Sequence, residues 1–231
     1  MPLPSLLLVP GAWHKPEHLQ LLIDDLSGID VHTVTLTSSG EDPKTLGDMY
    51  SDAAAIKSAV EAIEGPVVVV AHSYGGIPAT QALADTPNVK SIVYLAAFQL
   101  DAGDSLLSSV GGSSAPWWEF HRQEDAGDFL TVTGPVDVFY GDVNEIVAEK
   151  AAAALGYQSY AATTQELTAV AWHTIPSTYI ICEADKAIPP FVQELFSRRA
   201  NRTLRLDSSH SPFLSRPAEL ARLIRHELTL P

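Results

Sequence analysis

Apolar and polar positions along this chain change their period in a regular order. An apolar run at 6–9 stops at Pro10-Gly11, as a buried strand stops at a turn. Over 16–27 the spacing of Leu19, Leu22, Ile23 and Leu26 puts one apolar stripe on a helix. Positions 31–36 alternate as a strand, and 37–45 are polar and loop-like. A helix is predicted over 46–63, where Met49, Ala53, Ile56, Val60 and Ile63 recur every three or four residues. The run 67–71, Val-Val-Val-Val-Ala, is a continuous apolar strand, followed by a helix over 76–83 and another apolar strand over 91–98. Unbroken apolar strands alternating with amphipathic helices predict an α/β fold. Its sheet should be mostly parallel, doubly wound and about six strands wide.

The rhythm breaks at 99–176. Gly111-Gly112-Ser113-Ser114 reads as loop, Trp117 and Trp118 follow, and 129–133 and 136–140 read as short strands. Helices are expected over 144–155 and 158–170. The strand–helix rhythm then returns, with strands at 177–182 and 202–206 and helices at 190–200 and 217–228, the last opened by Pro217. The pattern therefore divides into a core, 1–98 and 177–231, and one inserted, mainly helical segment, 99–176. An insertion at the carboxyl end of a strand lies over the place where open α/β sheets bind ligands, so it is read as a cap.

The chemistry concentrates where the third strand ends, in Ala71-His72-Ser73-Tyr74-Gly75-Gly76. A strand that turns sharply into a helix at a serine holds the hydroxyl outward on a strained backbone. Small residues two positions either side let strand and helix approach; here they are Ala71 and Gly75. A serine needs a base, and the base needs a carboxylate to orient it. In this architecture the acid and then the histidine follow the serine, each after a strand. Asp185 follows the strand at 177–182, and His210 follows the strand at 202–206. Taken singly, Ser73 could be a turn or cap residue, Asp185 a helix cap and His210 a solvated loop residue. Asp101 and Glu183 compete for the acid's place; His14, His72, His121 and His173 compete for the base's, although the His72 side chain should point away from that of Ser73. Asp207 lies near His210 on the wrong connection. The backbone N–H groups of Tyr74 and of Ala12, in the loop Val9-Pro-Gly-Ala-Trp-His14, are the expected oxyanion donors. Trp13, Trp117 and Trp118 are candidate substrate-lining residues. Pro78, early in the helix after Ser73, argues mildly against a regular helix there.

The remaining composition narrows the partners. The 231 residues carry a net charge of −14, which repels nucleic acid and anionic membrane. No apolar run approaches the roughly 20 residues of a membrane span. The start of the chain lacks the basic segment of a signal peptide, and Cys182 is the single cysteine. A cytoplasmic protein, monomeric or homodimeric, is expected. No Cys/His spacing suggests a metal, and no Gly-x-Gly-x-x-Gly follows the first strand, so no metal and no cofactor are expected.

The stretches Leu7-Leu-Val-Pro-Gly-Ala-Trp-His14, Ala71–Gly76, Tyr179-Ile-Ile-Cys-Glu-Ala-Asp-Lys-Ala-Ile-Pro-Pro190 and Ser209-His-Ser-Pro-Phe-Leu214 resemble the α/β-hydrolase superfamily. More narrowly, the chain is similar to small serine esterases related to plant methylesterases, salicylate-binding proteins and hydroxynitrile lyases. The resemblance implies Ser73 as nucleophile, Asp185 as acid, His210 as base, and Ala12 and Tyr74 as the oxyanion hole, acting on a small or medium ester or lactone. Alternatives are a hydroxynitrile lyase-type carbon–carbon lyase and a non-catalytic ligand-binding protein. Two positions depart from the family: Pro10 where a histidine is usual, and Ala71 where a glycine is usual. The lyases also use a threonine in the oxyanion loop and a lysine after the histidine. Gly11 and Ser211 stand in those regions, which favours hydrolysis.

Overall fold

The computed structural model describes residues 3–230. Among these residues there are ten strands: β1 (Ser5–Val9), β2 (Val31–Thr33), β3 (Ser39–Gly40), β4 (Val67–His72), β5 (Val89–Leu95), β6 (Trp118–His121), β7 (Phe129–Val132), β8 (Tyr157–Ser159), β9 (Ser177–Cys182) and β10 (Arg202–Leu206). Six of them form one sheet in the order β10-β9-β5-β4-β1-β2, and every pair in it is parallel.

Successive side chains of a strand face opposite ways, and both faces of this sheet are covered. Leu7, Val9, Val67, Val69, Tyr94 and Tyr179 point into one apolar cluster, with Met49, Ile56 and Val60 of the helix Met49–Glu61 and Ile77 of the helix Gly76–Ala82. Leu6, Leu8, Val68, Val70, Val93 and Ile180 point into the other, against Leu22 of the helix Gln20–Asp25 and Leu220 and Ile224 of the helix Pro217–Leu228. All six residues of β4 and all six of β9 are buried. Burial of each large aliphatic side chain contributes about 1.5–3 kcal/mol. That is why the central strands read as unbroken apolar runs in place of alternation.

The order of the strands fixes where a ligand can enter. From β1 the chain moves outward to β2, then returns to β4 on the other side of β1 and continues toward β10. The loops leaving β1 and β4 therefore diverge, which opens a crevice at the carboxyl ends of these strands. Three non-glycine residues among those described have positive φ: Trp13 (62°), Ser73 (54°) and Ala96 (41°). They follow β1, β4 and β5, so the backbone strain gathers around that crevice.

Segment 99–176 contains the helices Leu106–Ser109, Pro135–Phe139, Glu145–Ala153 and Ala161–Thr164, and also β6, β7 and β8. These strands make a second, antiparallel sheet with β3, in the order β3-β8-β7-β6. The 37–45 loop thus supplies a short strand to this second sheet. Further local expectations differ from the structure, and the strand expected over 31–36 covers only Val31–Thr33. Residues 136–139 are helical, within Pro135–Phe139, with Gly134 in a left-handed conformation before the helix and Pro135 in its first turn. The helix expected over 158–170 is replaced by β8 and the short helix Ala161–Thr164. Its continuation is lost at Gln165, which is extended. There the side-chain carbonyl accepts from Met49 N at 2.8 Å and the amide donates to Asp48 Oδ2 at 2.9 Å. A tertiary contact capping another helix outweighs local propensity. Pro78 falls in the first turn of Gly76–Ala82, where its missing N–H has no intrahelical partner to lose.

Candidate active site

Ser73 stands at the first residue after β4, where a single 3₁₀ turn (Ser73–Gly75) leads into the helix Gly76–Ala82. Its left-handed backbone is held from the neighbouring strand end, where Phe98 N donates to Ser73 O at 3.1 Å. Gly75 and Gly76 are required by close approach: a Cβ at Gly76 would lie 2.6 Å from the Phe98 carbonyl oxygen, and one at Gly75 would lie 3.0 Å from Val9 Cγ1. Gly11 meets the elbow from the other side, where a Cβ would lie 2.8 Å from Ser73 Cβ.

His210 and Asp185 are both buried. The His210 ring donates from Nδ1 to Asp185 Oδ2 at 2.7 Å. Asp185 is itself tightly held: Oδ1 accepts from Ala187 N (2.7 Å) and Ile188 N (3.0 Å), and Oδ2 accepts from Gln193 Nε2 (2.9 Å). With Nδ1 committed to the carboxylate, the His210 proton sits on Nδ1 and the Nε2 lone pair is left for another partner. His210 and Ser73 line the same cavity. Gln193, fully buried on the helix Pro190–Ser197, also accepts from Cys182 N at 3.0 Å. It locks the acid loop to the end of β9. Gln193 carries no sequence signal beyond lying on the buried face of an amphipathic helix.

The cavity is small, about 50 Å³. Ala12, Trp13, His14, Tyr74, Phe98, Trp117, Trp118, Phe139 and Ile188 contribute to its walls, and no Asp, Glu, Lys or Arg does. Trp13, Trp117, Trp118 and Phe139 pack edge-to-face or tilted, with centroids 5.4–6.2 Å apart. All three tryptophans read from the sequence as pocket residues are therefore brought together at the cavity. Ala12, from the loop 10–14, and Tyr74, from the elbow, line the same cavity as Ser73.

The competing candidates lie elsewhere or are otherwise committed. Asp101 pairs with His173 at 3.4 Å, and Glu183 with Arg205 at 3.4 Å. His121 stacks on Phe129 and bonds Thr131. His72 donates from Nε2 to the His210 carbonyl at 2.9 Å. His14 donates from Nδ1 to the Ala12 carbonyl at 2.8 Å and accepts from the Tyr140 hydroxyl at 2.9 Å. Burial holds both imidazoles well below the ordinary histidine range, and neighbouring histidines push in the same direction. They are neutral struts behind the loops that carry Ala12 and His210. Cys182 is buried in β9, and burial pushes its thiol up. No group of three or more metal-ligating side chains gathers among the described residues, and no described helix is long and apolar enough to cross a membrane.

Comparison with known proteins agrees with this architecture. The chain is 32% identical over 240 residues to alpha/beta hydrolase nvfD of Aspergillus novofumigatus, covering 96% of each chain. Its fold is similar to a pyrethroid hydrolase from Sphingobium faniae (TM-score 0.82, 20% identity, 99% and 98% of the two chains). It is also similar to methylesterase MES16 from Arabidopsis (TM-score 0.82, 21% identity, 97% and 99%). At these identities the two structures speak for the fold alone. The model of the alpha/beta hydrolase family matches residues 6–223, and the chain belongs to that family.

Proposed function

We propose that the chain is a serine carboxylic ester hydrolase. The observation that carries this reading is the 2.7 Å hydrogen bond from His210 Nδ1 to Asp185, made by a histidine that shares a cavity with a strained Ser73. Ser73 Oγ attacks the ester carbonyl and gives its proton to His210 Nε2. The carbonyl oxygen, now negative, is stabilised by the N–H groups of Ala12 and Tyr74. As the tetrahedral adduct collapses, His210 passes the proton to the departing alkoxide, which leaves as the alcohol. Water, deprotonated by His210, then attacks the acyl-enzyme and releases the acid and free Ser73. Asp185 keeps the imidazole in the required tautomer and stabilises the imidazolium. A cavity of about 50 Å³ walled by aromatic rings and free of charged side chains suits a compact, neutral acyl group. Segment 99–176 serves as the cap that shapes it. Several fold neighbours are named for hydrolase or methylesterase activity, which agrees with ester cleavage, and a cytoplasmic setting suits a chain whose one cysteine is buried.

The test is hydrolysis of p-nitrophenyl acetate and butyrate. Ser73→Ala should lose at least about 10⁴-fold in kcat, and an unchanged rate refutes the reading. Cyanide release from mandelonitrile exceeding ester cleavage would assign the site to carbon–carbon lysis.

A further inference from the structure

The two sides of the proposed oxyanion hole are joined beneath the surface by one chain of polar side chains. On one side, Trp13 N donates to Gln158 Oε1 (3.2 Å) and to Ser39 Oγ (3.1 Å), and Ser39 Oγ donates to Gln158 Oε1 (2.5 Å). Because a peptide N–H can only donate, the Gln158 oxygen must face Trp13, and its amide nitrogen then faces Ser38 Oγ at 2.9 Å. Ser38 Oγ donates to Asp52 Oδ2 at 2.5 Å, and the Tyr74 hydroxyl donates to the same oxygen at 2.8 Å. Asp52 Oδ1 accepts from Ser38 N and Thr37 Oγ1, both at 2.9 Å. Gln158, Ser38, Asp52 and Tyr74 are all buried.

We infer that Gln158, Ser38 and Asp52 act as positioning residues for the oxyanion hole, holding the Ala12 loop and the Tyr74 elbow at a fixed separation. The inference rests on the assignment of Ala12 and Tyr74 as donors. Trp13 is in a left-handed conformation that a bulky residue adopts only when its surroundings impose it. The Ala12–Trp13 peptide is gripped at both ends, its carbonyl by His14 Nδ1 and its N–H by Gln158 and Ser39. Tyr74 is gripped through its hydroxyl. Four donors converge on Asp52, more than a buried carboxyl needs for packing alone, and a network satisfied in full is rigid. Gln158 lies on β8, within the inserted segment, so that segment helps set the hole as well as the pocket wall. The mechanism does not otherwise use any of these side chains.

A geometric role and a packing role make different demands on kinetics. An interaction that sets donor positions acts where charge develops, so its loss lowers kcat and leaves KM alone. Tyr74→Phe and Gln158→Leu, each in the full chain, are measured on p-nitrophenyl butyrate. Each should lower kcat by about 10- to 100-fold, the scale of a displacement near 1 Å in a reacting site. KM should stay within about twofold, and affinity for a boronic acid that mimics the tetrahedral adduct should fall in step with kcat. The double variant should be no slower than the slower single variant, because either cut breaks the same chain. Ser38→Ala, which removes the hydroxyl between Gln158 and Asp52, replaces Gln158→Leu in the cycle should the latter not fold. A kcat within twofold of the parent, a change confined to KM, or losses that multiply in the double variant would each overturn the inference. Ser73→Ala on the same substrate separates the two claims: if it is inactive while these variants keep their rate, only the positioning role fails; if it is active, the ester-hydrolase reading fails first.

Discussion

Gly11→Ala adds one methyl group at the point where the loop after β1 meets the nucleophile elbow. The new Cβ would lie 2.8 Å from Ser73 Cβ and 2.9 Å from His72 Nδ1. Carbon atoms rest at about 3.5 Å or more, so the loop and the elbow must part by about 0.7 Å. Neither neighbour yields easily. Ser73 Cβ is fixed by a strained backbone bonded to Phe98 N, and the His72 ring is held by the His210 carbonyl and packed on Phe213 with centroids 5.0 Å apart. Overpacking of this kind costs about 1–3 kcal/mol, which for a chain of this size lowers Tm by about 2–12 °C. The catalytic loss should be larger than the loss of stability suggests, because the parted loops carry the proposed oxyanion donors. A misplacement near 1 Å corresponds to roughly 100-fold in kcat. Gly127→Ala is the control, since nothing lies within 4 Å of a Cβ there. Thermal melts and steady-state hydrolysis of p-nitrophenyl butyrate are read on both. A Gly11→Ala protein with the parent's kcat refutes the claim that this contact sets the site.

Three further outcomes are expected. Asp185→Asn should lower kcat by about 10⁴-fold with the protein still folded, because an amide facing His210 favours the wrong tautomer; a loss under tenfold, read by the same ester assay, contradicts the assignment. Trp117→Ala should raise KM for phenyl esters by about 2- to 10-fold relative to ethyl esters, the worth of one aromatic contact, and equal KM changes for both would remove Trp117 from the pocket wall. Stability should depend on pH through His14 and His72. Both have folded pKa values depressed by burial, so their contribution is present above the unfolded value near 6.5 and is lost as pH falls toward the folded values. Below about 6.5 the unfolded chain takes up protons at these two rings that the folded chain does not, so stability falls as pH falls. Urea midpoints at pH 7.5 and 5.5 should differ accordingly, and identical midpoints would show that neither ring is held neutral.

Much of the core was legible because its physics is local. Val67–Val70 must be buried on both faces, Ala71 and Gly75 must be small, and Asp185 and His210 each follow a strand, in the order expected of this architecture. The less legible parts depend on contacts distant in sequence. Gln165 looks like a helix residue until the cap of Met49–Glu61, more than a hundred positions away, draws its side chain. The strand at 157–159 exists because Ser39 and Gly40 lie ready to pair with it. Asp52 carries a signal in the sequence: it shares the inward stripe of Met49, Ala53 and Ile56, and a carboxylate on a buried stripe requires partners. The partners, Ser38 and Tyr74, could not be read from spacing. The tryptophans were visible as residues, while their convergence on one cavity follows from the packing of segment 99–176 over the sheet.

In the proposed reaction Ser73 forms the acyl bond. Intact-mass and peptide mass spectrometry of protein treated with a fluorophosphonate, beside the same treatment of Ser73→Ala, measures it directly. A nucleophilic Ser73 gives a single adduct on that residue, lost together with esterase activity in the variant. An adduct on another residue, or a Ser73→Ala protein that keeps its activity, would contradict it.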